Sequence, residues 1–235
     1  MRHDSKLTTI GFDADDTLWH NMRHFEAAEQ ALFAILQPFA DAGVARARLE
    51  AVETRNLALY GYGAKSFTLS MIEAAIELCG DALGVAAISA ILAAGRDLLA
   101  HPVELLPGIE DTLDALSERG RLVLVTKGDL LHQEAKLAAS GLGDRFAGIE
   151  IVSDKKPETF RRLFDAHGVA PERAVMAGDS MRSDVLPALE AGAWAAFVPH
   201  AIVWSHERAT SPGGHRRFRQ LASLSELPGW IDAIG

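Results

Sequence analysis

Short apolar runs punctuate the second half of the chain at regular intervals, and each is followed by a segment with apolar positions at helical spacing. Leu122–Val125 (LVLV) is apolar at every position, the pattern of a strand buried on both faces of a parallel sheet. Thr8–Phe12, Gly148–Val152, Ala174–Ala177 and Ala193–Val198 read as further strands. Between them, Ile109–Gly120, Asp129–Ser140, Pro157–His167 and Met181–Ala191 read as helices. Three are closed by a following glycine (Gly141, Gly168, Gly192) and the first ends in Gly120 itself; one opens on Pro157. Strand and helix alternating from about residue 107 onward predict right-handed βαβ units and an α/β fold with a doubly wound parallel sheet.

The stretch between the first and second strands has a different pattern. Residues 19–104 are rich in Ala, Leu and Glu and show apolar spacing for four helices, at Phe25–Ala40, Ala47–Tyr60, Phe67–Cys79 and Ala87–Leu99. An insertion of this length between neighbouring strands is a domain of its own rather than a loop. The expected organisation is a core domain of residues 1–18 and 105–235 with a helical cap domain of residues 19–104. The segment from Ile202 onward is read as irregular, with a last short helix in Ser223–Ile234.

Composition narrows the function classes. The chain has 235 residues, 49% hydrophobic and 23% charged, with a formal net charge of −9, values of a folded globular protein rather than a disordered one. A net acidic chain is not a general binder of nucleic acid or anionic membranes. Its single cysteine, Cys79, excludes an intrachain disulfide and a cysteine zinc site. The N-terminal MRHDSKLTTIGF carries no apolar leader core, and no apolar run reaches the roughly 20 residues a membrane span needs; a cytoplasmic protein is the expectation.

The candidate chemistry lies at the strand ends. Asp13-Ala14-Asp15-Asp16-Thr17-Leu18 follows the first strand, and three carboxylates in four residues repel one another unless a cation sits among them. A turn and a helix cap account for one of the three. Gly178-Asp179-Ser180-Met181-Arg182-Ser183-Asp184 follows Ala174–Ala177 and offers two carboxylates that can approach one metal; an ordinary cap of the helix from Met181 competes with that reading. Thr126-Lys127-Gly128 ends the LVLV strand, and Lys155-Lys156-Pro157 opens a helix where a lysine and backbone N–H groups can meet a phosphoryl oxygen. The C-terminal edge of one parallel sheet would gather all four segments.

These four segments, in this order, resemble the motifs of the haloacid dehalogenase (HAD) superfamily: an Asp-x-Asp, a strand-end Ser or Thr, a Lys usually before Pro, and a Gly-Asp-x-x-x-x-Asp type pair. The helical insertion resembles that family's C1-type cap. The resemblance implies a Rossmann-like core and a Mg²⁺-dependent phosphatase acting on a small-molecule phosphomonoester through an aspartyl-phosphate. It implies Asp13 as nucleophile and metal ligand, and Asp15 as general acid/base whose backbone carbonyl faces the metal. Thr126, with Lys127 beside it, would meet the phosphoryl group; Lys156, next to Pro157, would hold Asp13 and the phosphate, with Lys155 adjacent. Asp179 would bind the metal, with Asp184 supporting it through water or an outer contact. Tyr62 and Lys65, in the two-glycine stretch Tyr60–Lys65, are the candidates for substrate selection. A 2-haloacid dehalogenase typically lacks the second Asp and needs no metal; a phosphomutase would transfer the group to a hydroxyl, and a non-catalytic phospho-ligand binder would not retain Asp13 and Asp15. His20 and His24, four apart with no glutamate of a zinc-protease pattern, are assigned no metal role, Trp19 is assigned to packing, and Ser211–Arg219 to a solvated basic loop.

Overall fold

The computed structural model describes residues 7–234; the first six residues of the N-terminal stretch read above as lacking a leader core lie outside these. The order of elements is β1 (Thr9–Phe12), α1 (Met22–Leu36), α2 (Ala42–Tyr60), α3 (Ala64–Cys79), α4 (Val85–Ala100), α5 (Ile109–Ser117), β2 (Arg121–Lys127), α6 (Leu130–Ser140), β3 (Gly148–Val152), α7 (Pro157–Ala166), β4 (Ala174–Gly178), a wide π-type turn (Met181–Val185) running into α8 (Leu186–Glu190), β5 (Trp194–Phe197), β6 (Phe218–Gln220) and α9 (Leu227–Ile234). The six strands form one sheet of order β3-β2-β1-β4-β5-β6, parallel at every pairing. The five strands read from sequence are present. β6 is the addition: Phe218 and Arg219, in the stretch read as a solvated loop, pair with Ala195 and Ala196.

The period of two along each central strand divides the core between the two faces of the sheet. Ile10, Phe12, Leu122, Leu124, Val175 and Ala177 pack with Leu113 and Leu116 of α5, Leu137 of α6 and Leu227, Trp230 and Ile231 of α9. Val123, Val125, Ala174 and Met176 face the other way, onto Phe160, Leu163 and Phe164 of α7, Val185 just before α8 and Ala188 within it. Helices on both sides are what a continuous apolar strand such as β2 requires.

The chain divides into two compact units. The sheet unit holds the N-terminal part through Met22, Val103–Lys127 and the chain from Gln133 on; the helical unit holds Arg23–Pro102 and Gly128–His132. The helical unit has its own core, in which Leu32, Phe33 and Leu36 of α1, Leu49 and Val52 of α2, Phe67 and Met71 of α3, and Ile91 and Leu98 of α4 are buried together. Asp41 caps α2 by accepting from the Val44 N–H at 2.9 Å. Gly95 is where α4 comes against α3: a Cβ there would lie 2.3 Å from Thr68 Oγ1, so only glycine permits the approach. No helix of the described residues is long and apolar enough to cross a membrane.

Candidate active site

Asp13 follows β1 directly, and its N–H donates to the Ala177 carbonyl of β4 at 2.9 Å, so its place is fixed by the pairing of the two central strands. The residue is 7% exposed. Lys155 Nζ donates to Asp13 Oδ1 at 2.5 Å and to Asp184 Oδ1 at 2.7 Å. Thr17 Oγ1 donates to Asp13 Oδ2 at 3.3 Å and accepts from the Asp179 N–H at 3.1 Å, joining the β1 turn to the β4 turn. Carboxylate oxygens of Asp13, Asp179 and Asp184 lie within 4.8 Å of one another.

The turn after β4 is built to deliver Asp184. Ser180 caps it, its Oγ accepting from the Ser183 N–H at 2.8 Å, and the wide turn carries Asp184 back over the strand end. There Asp184 Oδ2 accepts from the Ser180 N–H at 3.0 Å. A Cβ on Gly178 would stand 2.2 Å from that Oδ2. Gly178 is thus required by the position of the acid, not by its own backbone.

Charge in this cluster is unbalanced. Burial opposes the ionised form of Lys155, but Asp13 and Asp184 beside it hold its proton more firmly than usual. Burial pushes the Asp13 carboxyl up, with Lys155 opposing and Asp184 adding to it. Asp179 is pushed well up by burial and by Asp13 and Asp184. Three carboxylates around one ammonium are short of positive charge, and an all-oxygen donor set of this kind suits a hard divalent cation such as Mg²⁺.

Asp15 lies apart from that trio in its contacts. Its two oxygens accept from Lys136 Nζ at 2.6 and 2.7 Å, from Trp19 Nε1 at 2.7 Å and from Gln133 Nε2 at 3.2 Å. Burial raises its carboxyl, but Lys136 and these donors outweigh burial and leave it below the usual range. Gln133 Nε2 also reaches Thr126 Oγ1 at 2.6 Å and the Lys127 carbonyl at 3.0 Å, tying the end of β2 to Asp15.

A model of the haloacid dehalogenase-like hydrolases matches residues 7–192. The chain belongs to this family. A crystal structure of a haloacid dehalogenase-like family hydrolase from Xanthomonas campestris is 40% identical, with a TM-score of 0.89 over 100% of this chain and 94% of that one. N-acylneuraminate-9-phosphatase of Mus musculus is 29% identical over 136 residues, 54% of this chain and 51% of the mouse protein. Phosphoserine phosphatase of Thermus thermophilus is 36% identical over 104 residues, 42% of each. The matched stretches thus span about half the length of these two curated relatives or less.

Within the HAD framework, several expected residues stand elsewhere than the motif spacing implied. Lys155, not Lys156, reaches Asp13; the Lys156 side chain is 66% exposed and lies 3.3 Å from Asp154. β3 ends at Val152 and Lys156 is the extended residue just before Pro157, so the alternation of the connecting residues turns Lys155 inward. Lys127, expected at the phosphoryl group, donates to Ser183 Oγ at 2.8 Å and to Glu207. Lys65 belongs to the first turn of α3 and its ammonium pairs with Asp129 at 2.9 Å. Tyr62 lies in a three-residue turn between α2 and α3, in which Gly61 and Gly63 take positive φ. Trp19 is buried as expected, and its indole N–H is spent on Asp15.

Four site residues were not read from the sequence. Gln133 and Lys136, both buried, share one face of α6 with Leu137, and polar residues on an inward stripe were the available signal. Glu207 accepts from Ser180, from Ser183 at 2.6 Å and from Lys127. It sits in a segment of irregular pattern that carried no signal. Thr17 was within the first motif but without a role.

Proposed function

We propose that the protein is a Mg²⁺-dependent phosphatase of small phosphomonoesters in which Asp13 accepts the phosphoryl group. The observation that carries this reading is Asp13 held by Lys155 at 2.5 Å, within 4.8 Å of Asp179 and Asp184. The phosphatase relatives support the reaction class.

Asp13, Asp179 and Asp184 would hold the ion, with the Asp15 backbone carbonyl as a further donor; Mg²⁺ would supply the charge that screens the anionic substrate from these carboxylates. Lys155 keeps Asp13 in line and neutralises a phosphoryl oxygen. An Asp13 oxygen bonds to phosphorus as the ester P–O bond breaks, and the departing oxygen takes a proton from Asp15. Water then attacks phosphorus and gives its proton to Asp15, while the bond to Asp13 breaks and inorganic phosphate leaves. Lys136 favours the ionised Asp15, the form needed to accept the proton of water. Thr126 and the N–H groups after β2 position the phosphoryl oxygens. Asp15 and Asp179 favour phosphorus over a haloacid carbon as the electrophile.

Turnover of p-nitrophenyl phosphate tests the reading. Activity is expected with Mg²⁺, and Asp13→Asn is expected to reduce it to background; full activity in EDTA, or in Asp13→Asn, rejects the mechanism. Phosphate release from a panel of phosphomonoesters then identifies the substrate.

A further inference from the structure

Asp16, the third acid of the first motif, has no part in the cluster above. It turns the chain at φ +61°, is 4% exposed, and accepts from the N–H groups of Asn21 at 2.8 Å and Met22 at 2.9 Å, capping the start of α1. Oδ1 also accepts a longer bond from the Met22 N–H, at 3.2 Å. His200 Nε2 stands 3.6 Å from Asp16 Oδ1, too far for a hydrogen bond. The His20 ring lies edge-on to His200 at 6.0 Å between centroids. Ligand atoms of all three residues fall within 4.8 Å of one another.

We infer that Asp16, His20 and His200 form a second metal site, for a first-row divalent ion that accepts imidazole nitrogen, zinc foremost. A tetrahedral ion with bonds of about 2.0–2.2 Å separates its ligands by roughly 3.3–3.6 Å, and the gap between Asp16 and His200 already has that length. His20 and His200 are both half-buried, and His20 is the ligand that closes up. The other nitrogen of His200, Nδ1, lies 3.1 Å from the Ile202 carbonyl and 3.3 Å from the Ile202 backbone nitrogen; with the ring proton on Nδ1 and given to the nearer carbonyl, Nε2 has the lone pair that faces Asp16. Metal-bound histidines are oriented in this way. Two imidazoles and one carboxylate suit zinc or a neighbouring transition ion and not Mg²⁺, which takes oxygen ligands. The ion would fasten the segment leading to Glu207 onto the turn that follows Asp13. The inference stands independently of the proposed phosphatase activity.

Zinc and cobalt binding to the full chain, measured calorimetrically and by visible absorption in excess Mg²⁺, tests it. The wild type is expected to bind a single zinc ion, and cobalt is expected to give the absorption of a nitrogen-ligated site. His200→Gln and His20→Ala, each checked for folding by circular dichroism, are expected to weaken binding by at least the roughly 10–100-fold that loss of even an outer-shell partner costs. Asp179→Asn is expected to leave it unchanged. No zinc bound by the wild type, equal binding in the folded histidine variants, or loss confined to Asp179→Asn overturns the assignment.

Discussion

Lys155 and Lys156 are identical in type and adjacent, yet one is buried against two carboxylates and the other reaches solvent. That contrast was not legible from sequence, because proximity to Pro157 points to Lys156, and only the residue at which β3 stops decides which side chain turns in. The contrast is testable with the same substitution at both positions. Lys155→Met is expected to lower the rate of phosphate release by about 10²–10³-fold, the cost of removing a charge-stabilising donor from a closed site. Lys156→Met is expected to leave it unchanged, since an exposed ion pair contributes little. Equal loss in both would show that burial does not distinguish them. The acids were easier to read, because Asp13, Asp179 and Asp184 each follow a recognisable strand; the partners of Asp15 were not, since Lys136 lies 121 residues away on a helix with no motif.

Among the elements, the strands were legible because β1, β2 and β4 carry short, almost wholly apolar runs and are buried along nearly their whole length, as central strands are. β6 was not, since Phe218–Gln220 is short and mostly exposed at the sheet edge, and pairing there is decided by β5. Helix α2 has a consequence for stability. Burial, with Glu29 and Glu50 nearby, raises the Glu53 carboxyl from the usual 4.5 to about 8. Below pH 4.5 folded and unfolded chains both carry this proton. Between there and about pH 8 the unfolded chain releases it and the folded one keeps it, so stability falls as pH rises through that window. Glu53→Gln is therefore expected to stabilise the protein at pH 9, by about 1–2 kcal/mol given the partial exposure of the site, and to have little effect near pH 4. Urea unfolding at the two pH values measures it; an equal shift at both would rule out titration of Glu53 as the cause.

For the whole molecule, an ion held by Asp13, Asp179 and Asp184, as proposed, would tie separate strand ends of the sheet unit together and so stabilise the fold. An ion bound only by the folded chain at 100 times its Kd adds about 2.7 kcal/mol. The thermal transition of the wild type is expected to rise with added Mg²⁺ and that of Asp179→Asn to stay in place; scanning calorimetry reads both, and a matching rise in the variant would place the ion elsewhere.

The strand order has a further consequence for how the protein comes into being. β1 is made first but lies in the middle of the sheet, and the bond from the Thr8 N–H to the Arg173 carbonyl that begins its pairing with β4 spans 165 residues. Asp13 therefore leaves the ribosome well before its partners Asp179 and Asp184 exist. The helical unit, whose contacts all lie closer in sequence, can fold in the interval, while the nascent acidic turn waits for the last third of the chain to close the sheet around it.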